Sequence, residues 1–91
     1  MTLYRTRRME SVMEQVLSEE IVRTIEDADT LITITNIHID LENDQALVSV
    51  AVFPDEKREA VLGGLNRRAG GLAFMLLKKM KVKKIPFLVF V

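Results

Sequence analysis

The sequence predicts an α+β domain in the order helix, strand, strand, broken helix, strand, with the helices layered on one face of a small sheet. Three observations carry this expectation. Apolar residues recur at spacings of three and four between Met9 and Ile25. Two β-branched, alternating segments fill residues 30–53. A second apolar stripe then crosses four glycines before a closing run, Ile85-Pro86-Phe87-Leu88-Val89-Phe90-Val91. At 91 residues the chain is expected to form a single domain, 1–91, with one modest core.

The first helix is expected from about Arg5 to Glu26, burying Met9, Val12, Met13, Val16, Leu17, Ile21, Val22 and Ile25 and stopping near Asp27. Thr30 to Asp40 reads as a strand in which Ile32 and Ile34 share one phase while Ile37 and Ile39 take the other. The slip predicts a bulge at Asn36. Leu41-Glu42-Asn43-Asp44 makes a polar turn into a second strand, Gln45 to Phe53, apolar on both faces apart from Ser49, and the two strands form an antiparallel hairpin.

Pro54-Asp55 opens the next helix, with Asp55 as its cap and Glu56 in its first turn. Its stripe, Leu62, Leu65, Ala69, Leu72, Leu76 and Met80, passes over Gly63, Gly64, Gly70 and Gly71. Glycine costs about 1 kcal/mol against alanine inside a helix, so four within nine residues call for a reason. Gly63-Gly64 reads as a soft early turn, and Gly70-Gly71 as a kink or a point of close backbone approach. Val82 to Val91 closes the sheet, and Pro86 restricts that strand to an edge or Pro86 itself to the strand's first residues.

Net charge is zero, but the charge is segregated along the chain. Residues 1–9 carry Arg5, Arg7 and Arg8; residues 10–59 carry all 13 acids against three bases; residues 60–91 carry Arg67, Arg68, Lys78, Lys79, Lys81, Lys83, Lys84 and no acid. Such polarisation favours a polyanionic partner, the alternative being that the two halves neutralise one another in the fold. There is no cysteine and no apolar run of membrane-spanning length, so a soluble protein of a reducing compartment, the cytoplasm, is expected.

No catalytic constellation is visible. His38 is the single histidine and reads as a surface strand residue, and Asp40, Glu42 and Asp44 lack the glycine and glutamate of a calcium loop. The glycine-basic segment reads differently. On a continuous helix Arg67, Gly71, Phe74 and Lys78 fall within about 60° of one another, opposite the apolar stripe. A glycine there lets a phosphate backbone approach, although close helix packing would also use one. Lys78, Lys79, Lys81, Lys83 and Lys84 add phosphate-directed charge, and the scarcity of aromatics favours structured RNA over base stacking.

Arg5-Thr6-Arg7-Arg8-Met9-Glu10, Ile32-Thr33-Ile34-Thr35-Asn36-Ile37-His38-Ile39-Asp40 with Ala46-Leu47-Val48-Ser49-Val50, Leu65-Asn66-Arg67-Arg68-Ala69-Gly70-Gly71 and the proline-led last strand together resemble the bacterial ribosome-binding factor A family over nearly the whole chain. The resemblance implies a KH-like (type II-like) α-β-β-α(kinked)-β fold with a three-stranded sheet, in which a helix kink at alanine-x-glycine replaces the glycine-x-x-glycine loop. It implies a monomeric cytoplasmic factor, not an enzyme. That factor would bind the small ribosomal subunit and its rRNA during late maturation and rRNA processing, often in cold adaptation. No cofactor, metal, membrane or small-molecule substrate is implied. The RNA-binding residues would be Arg5, Arg8, Arg67, Arg68, Gly70, Gly71, Lys78, Lys79, Lys81, Lys83 and Lys84.

Counting back from Pro86 without a gap puts Arg68-Ala69-Gly70 at the kink, with arginine in the alanine place; Ala69-Gly70-Gly71 restores the motif with a one-residue deletion. The ungapped count also puts Ala73 where the family carries a basic residue. The chain stops at Val91, where family members continue past the third strand, as either a short member or a shortened chain. Two other classes remain open: a protein-interaction module without RNA binding, and a dimer through an exposed edge strand.

Overall fold

The computed structural model describes residues 2–24 and 29–91, with side chains for 6–23 and 29–91. The elements are α1 (Thr2–Thr24), β1 (Leu31–Asp40), β2 (Gln45–Phe53), a 3₁₀ turn (Asp55–Lys57), α2 (Arg58–Arg67), α3 (Ala69–Met80) and β3 (Phe87–Phe90). The sheet order is β1-β2-β3, with β1 antiparallel and β3 parallel to β2. Helices α1, α2 and α3 pack on one face of it, which is the layered arrangement the sequence predicts.

The phase slip in β1 is a bulge. Ile34 pairs with Val50 and Asn36 with Ser49, leaving Thr35, one residue before the expected Asn36, as the extra residue. Its hydroxyl donates to the Ser49 carbonyl at 3.2 Å. The inserted residue puts Ile34, Ile37 and Ile39 all on the covered face, where they are buried together with Ala46, Val48 and Val50 of β2. Without it the second half of β1 would present its isoleucines to solvent.

Met13, Leu17, Ile21, Leu65, Leu72, Leu76, Leu88 and Phe90 complete the core. Each such fully buried side chain stabilises the fold by about 1.5–3 kcal/mol. The buried stripe of α1 is narrower than its sequence pattern: Val12 is partly exposed and Val22 is 74% exposed, while the Met13-Leu17-Ile21 line is buried and Met9 and Val16 pack at its side. The expected stop at Asp27 and the burial of Ile25 lie outside the described residues.

Two further expectations are corrected. Asp55 makes no side-chain cap bond, since Pro54 takes the cap position and Asp55 enters the 3₁₀ turn. The third strand is Phe87–Phe90, not Val82–Val91. Lys81 ends α3 in the left-handed region, at φ 54°, and the chain then travels without regular pairing to a buried Pro86, which has no N–H to give a ladder.

The hairpin turn is held by one carboxylate. Asp40 Oδ1 accepts from the backbone N–H groups of Glu42 (3.1 Å) and Asn43 (3.3 Å), and Oδ2 accepts from Asn43 Nδ2 at 2.7 Å. The Asn43 amide first, then the backbone donors, favour the charged form and hold the Asp40 pKa below its ordinary 3.8, against slight desolvation. Asp44 follows with φ 53°, and its carbonyl accepts from Phe87 N–H at 3.0 Å, so the turn also starts β3.

Both sheet edges carry a side chain where another strand could add. On β1, Ile39 N–H donates to Glu10 Oε2 at 2.8 Å. On β3, Asn66 of α2 accepts from Phe90 N–H (2.8 Å) and donates to the Phe90 carbonyl (3.0 Å), as a paired strand would. Removing it in Asn66→Ala is expected to lower the unfolding free energy in urea by about 1–3 kcal/mol, through two lost bonds and a backbone N–H left without a partner. For Asp40 the sign follows from its lowered pKa: the stabilisation is present above the ordinary value and fades as pH falls through the folded one. The stability difference between the native chain and Asp40→Asn is thus expected to be constant above about pH 5 and to shrink in more acid solution, as read from urea titrations.

Candidate nucleic-acid interface

The helix breaks at Arg68, which has φ −92° and ψ 0° and belongs to neither α2 nor α3. Its N–H is shared between the carbonyls of Gly64 (3.2 Å) and Leu65 (3.1 Å), and its carbonyl accepts from Leu72 N–H at 2.9 Å. The residue at the break thus keeps both of its own backbone groups bonded. The break falls on the first residue of the ungapped register, with arginine in the alanine place, so the expected kink at Gly70-Gly71 is corrected. Neither Gly70 nor Gly71 has positive φ, and both lie in the first turn of α3. Gly63-Gly64 likewise lies inside α2, not in a turn.

Why two glycines stand there is answered by their surroundings. A Cβ built on Gly70 or Gly71 would meet nothing within 4 Å, so no packed backbone requires them. Close helix packing is excluded as their reason. Both are exposed, and both leave the first turn of α3 bare beside exposed Arg67 and Arg68. The Arg67 guanidinium lies back toward Gly63 in the preceding turn of α2, with Nη1 3.4 Å from a Cβ built there.

The remaining cations are arranged along α3 and at its far end. Lys78 and Lys79 occupy its last turn, and Lys81, Lys83 and Lys84 follow, all exposed. Lys78 Nζ lies 4.7 Å from the centroid of the Phe74 ring. Lys84 is paired with Asp44 at 3.2 Å and sits in a shallow depression with Thr6 and Met9 of α1, at the hairpin-turn end. The break lies beside Glu20 and Ile21, at the other end of α1, about 21 Å away along that helix. The predicted residues thus fall in two groups: Arg67, Arg68, Gly70 and Gly71 at the break, and Lys84 with the amino-terminal turns of α1 at the opposite end, with Lys78, Lys79 and Lys81 leading from one toward the other. Arg8 is exposed on α1 near that second group, and the side chain of Arg5 lies outside the described residues.

A groove of about 410 Å³ runs between α1 and the break, its floor made by Ile21, Leu65, Leu72 and Met75 and its rim by Arg67 and Arg68. Lys81 closes α3 in a left-handed conformation. A left-handed position costs a non-glycine residue about 1 kcal/mol or more, and helices usually place glycine there. Among the described residues no three His, Asp or Glu come together to hold a metal, and no helix is long and apolar enough to cross a membrane. His38 is exposed on the uncovered face, opposite Leu47. Sequence reasoning missed the structural use of Asn66, for which no local signal exists, while it placed Phe74 and Lys78 on one helix face, where the structure adds the contact between ring and ammonium.

Fold and site together define a KH-like α+β domain carrying a broken, cationic helix. The family model for ribosome-binding factor A matches residues 5–91. The chain belongs to the ribosome-binding factor A family. It is similar to the ribosome-binding factor A of Finegoldia magna, 30% identical over 99% of this chain and 78% of that protein, and to that of Prochlorococcus marinus, 27% identical over 94% and 73%. Among solved structures it resembles crystalline ribosome-binding factor A from Thermus thermophilus, with TM-score 0.79, 25% identity and coverage of 94% of this chain and 92% of that one. It also resembles a homology model of the Thermus thermophilus factor fitted into a cryo-EM map of its 30S complex, with TM-score 0.76, 26% identity and coverage of 91% and 89%.

Because the glycines are unpacked, Gly70→Ala and Gly71→Ala are each expected to leave stability unchanged or raise it by up to about 1 kcal/mol in urea unfolding. A loss of stability in either would show that the backbone there needs glycine.

Proposed function

We propose that this protein binds the small ribosomal subunit during late maturation and processing of its rRNA, contacting RNA backbone with the broken helix and the lysines that follow it. The observation that carries this reading is the bare, exposed turn at Gly70-Gly71, framed by Arg67 and Arg68 and continued by Lys78, Lys79 and Lys81. A surface with no side chain in the way and cations on either side admits a phosphate backbone closely, and such contacts contribute affinity without reading sequence. The related Thermus thermophilus factor, fitted into a map of its 30S complex, supports the same partner. Lys83 and Arg8 add charge at the far end, while Lys84 is shared with Asp44.

On this reading the protein acts as a monomer in the cytoplasm, without cofactor and without catalysis of its own, in a role linked to growth in the cold. Glu10 and Asn66 support the monomer, since each fills a position at which an edge strand would accept a second copy.

Replacing Lys78, Lys79 and Lys81 together by glutamate is expected to abolish co-sedimentation with small subunits at moderate salt. Single alanine replacements should each lower the slope of log affinity against log salt by about 0.7–0.9, the release expected for one phosphate contact. Unchanged binding by the triple variant would refute the assignment of this surface. Retention in the supernatant by the native chain at low salt would point instead to a protein-only partner.

A further inference from the structure

We propose that Phe74 is a stacking platform for one unpaired nucleobase of the RNA that lies along α3, a role that rests on the RNA-binding reading above and adds a base contact to it. The ring is 58% exposed on α3, a large cost for an aromatic side chain if nothing ever covers it. It belongs to the basic face and not to the core: Leu72 and Leu76 are buried on the other side of the same helix.

The neighbours of the ring are those a nucleotide uses. One turn toward the amino terminus are Gly71 and Gly70, at i−3 and i−4, where the space a side chain would fill holds no atom within 4 Å. One turn toward the carboxyl terminus is Lys78, whose ammonium lies 4.7 Å from the ring centroid. A base laid against Phe74 thus has open room above the bare turn, while the phosphate that follows it meets Lys78 and the preceding one meets Arg67 or Arg68. Helical side chains lean toward the amino terminus, the direction in which that open turn lies. The other exposed phenylalanines, Phe53 and Phe87, occupy opposite ends of the uncovered sheet face, about 26 Å apart by strand rise, and have no such cationic frame.

A cationic, aromatic strip with no carboxylate among residues 60–91 fits a polyanion that can offer a flat ring, and an acidic peptide would bring only the charge. Base-paired RNA cannot present a free base face, so the contact selects an unstacked nucleotide within or beside a helix.

The test uses the full chain, small subunits, and two RNA probes of about twelve nucleotides, one single-stranded and one duplex. Phe74→Leu and Phe74→Ala are expected to fold as the native chain does, by circular dichroism, and to weaken the single-stranded probe about 5- to 100-fold without changing its salt slope. Duplex binding should be unaffected, Phe74→Trp should restore single-strand binding, and Phe53→Leu on the far sheet face should change nothing. If Phe74→Leu binds the single strand within about twofold of the native chain while the Lys78, Lys79, Lys81 charge reversal loses it, stacking is overturned and the RNA-backbone reading stands. If leucine keeps subunit binding that alanine loses, the ring is packed against a protein surface and the proposal is likewise overturned. If neither the native chain nor the charge reversal binds any RNA, the reading on which the proposal rests falls with it.

Discussion

Asn66 spends both ends of its amide on Phe90, and through that pair the last turn of α2 and the closing strand hold one another in place. β3 has four residues and gains its register from β2 on one side only, so a fixed partner on its outer edge matters more than it would for a long strand. The same contact sets the rotation of α2 about its axis two residues before the break at Arg68. What lies beyond the break, the bare turn and its cations, is aimed by a helix whose end is tied to the sheet. At the opposite end of the molecule Asp44 has a comparable part: its carbonyl accepts from Phe87 N–H of β3 and its carboxylate pairs with the Lys84 ammonium.

The broken helix divides labour between its two halves. α2 is fastened at both ends, by Arg58 to the Val50 carbonyl at 2.8 Å and by Asn66 to Phe90. α3 buries Leu72 and Leu76 and turns Gly70, Gly71, Phe74 and Lys78 outward. Glycines that no packing requires, a left-handed lysine and an uncovered phenylalanine each give up some stability in the free protein. They occur within twelve residues of one another and on the side of the chain that carries no acid. Stability relinquished together in one place is what supports the proposed binding surface.

Most of the fold was legible in the chain because periodicity reports which face is buried. The slip between Ile34 and Ile37 located the bulge, and the polar turn at 41–44 located the hairpin. Reading went wrong where a local pattern had two outcomes. Val12 and Val22 fit an amphipathic stripe yet face solvent, since the sheet is narrower than the stripe. Val82 to Ile85 reads as the start of the closing strand, yet it connects, because the left-handed end of α3 and Pro86 leave the ladder only four residues. Adjacent glycines suggested the kink, and the shared N–H of Arg68 put it two residues earlier.

The sequence by itself determined the order of elements, the bulge, the segregation of charge and the family likeness, all of which are properties of residue type and spacing. Only the tertiary structure decided where the helix breaks, that Gly70 and Gly71 are free of packing, that Lys84 belongs to Asp44, and that Asn66 reaches Phe90 across 24 residues of chain. These are contacts between distant segments, and no local pattern encodes them because their geometry exists only once the sheet and helices have closed on a common core.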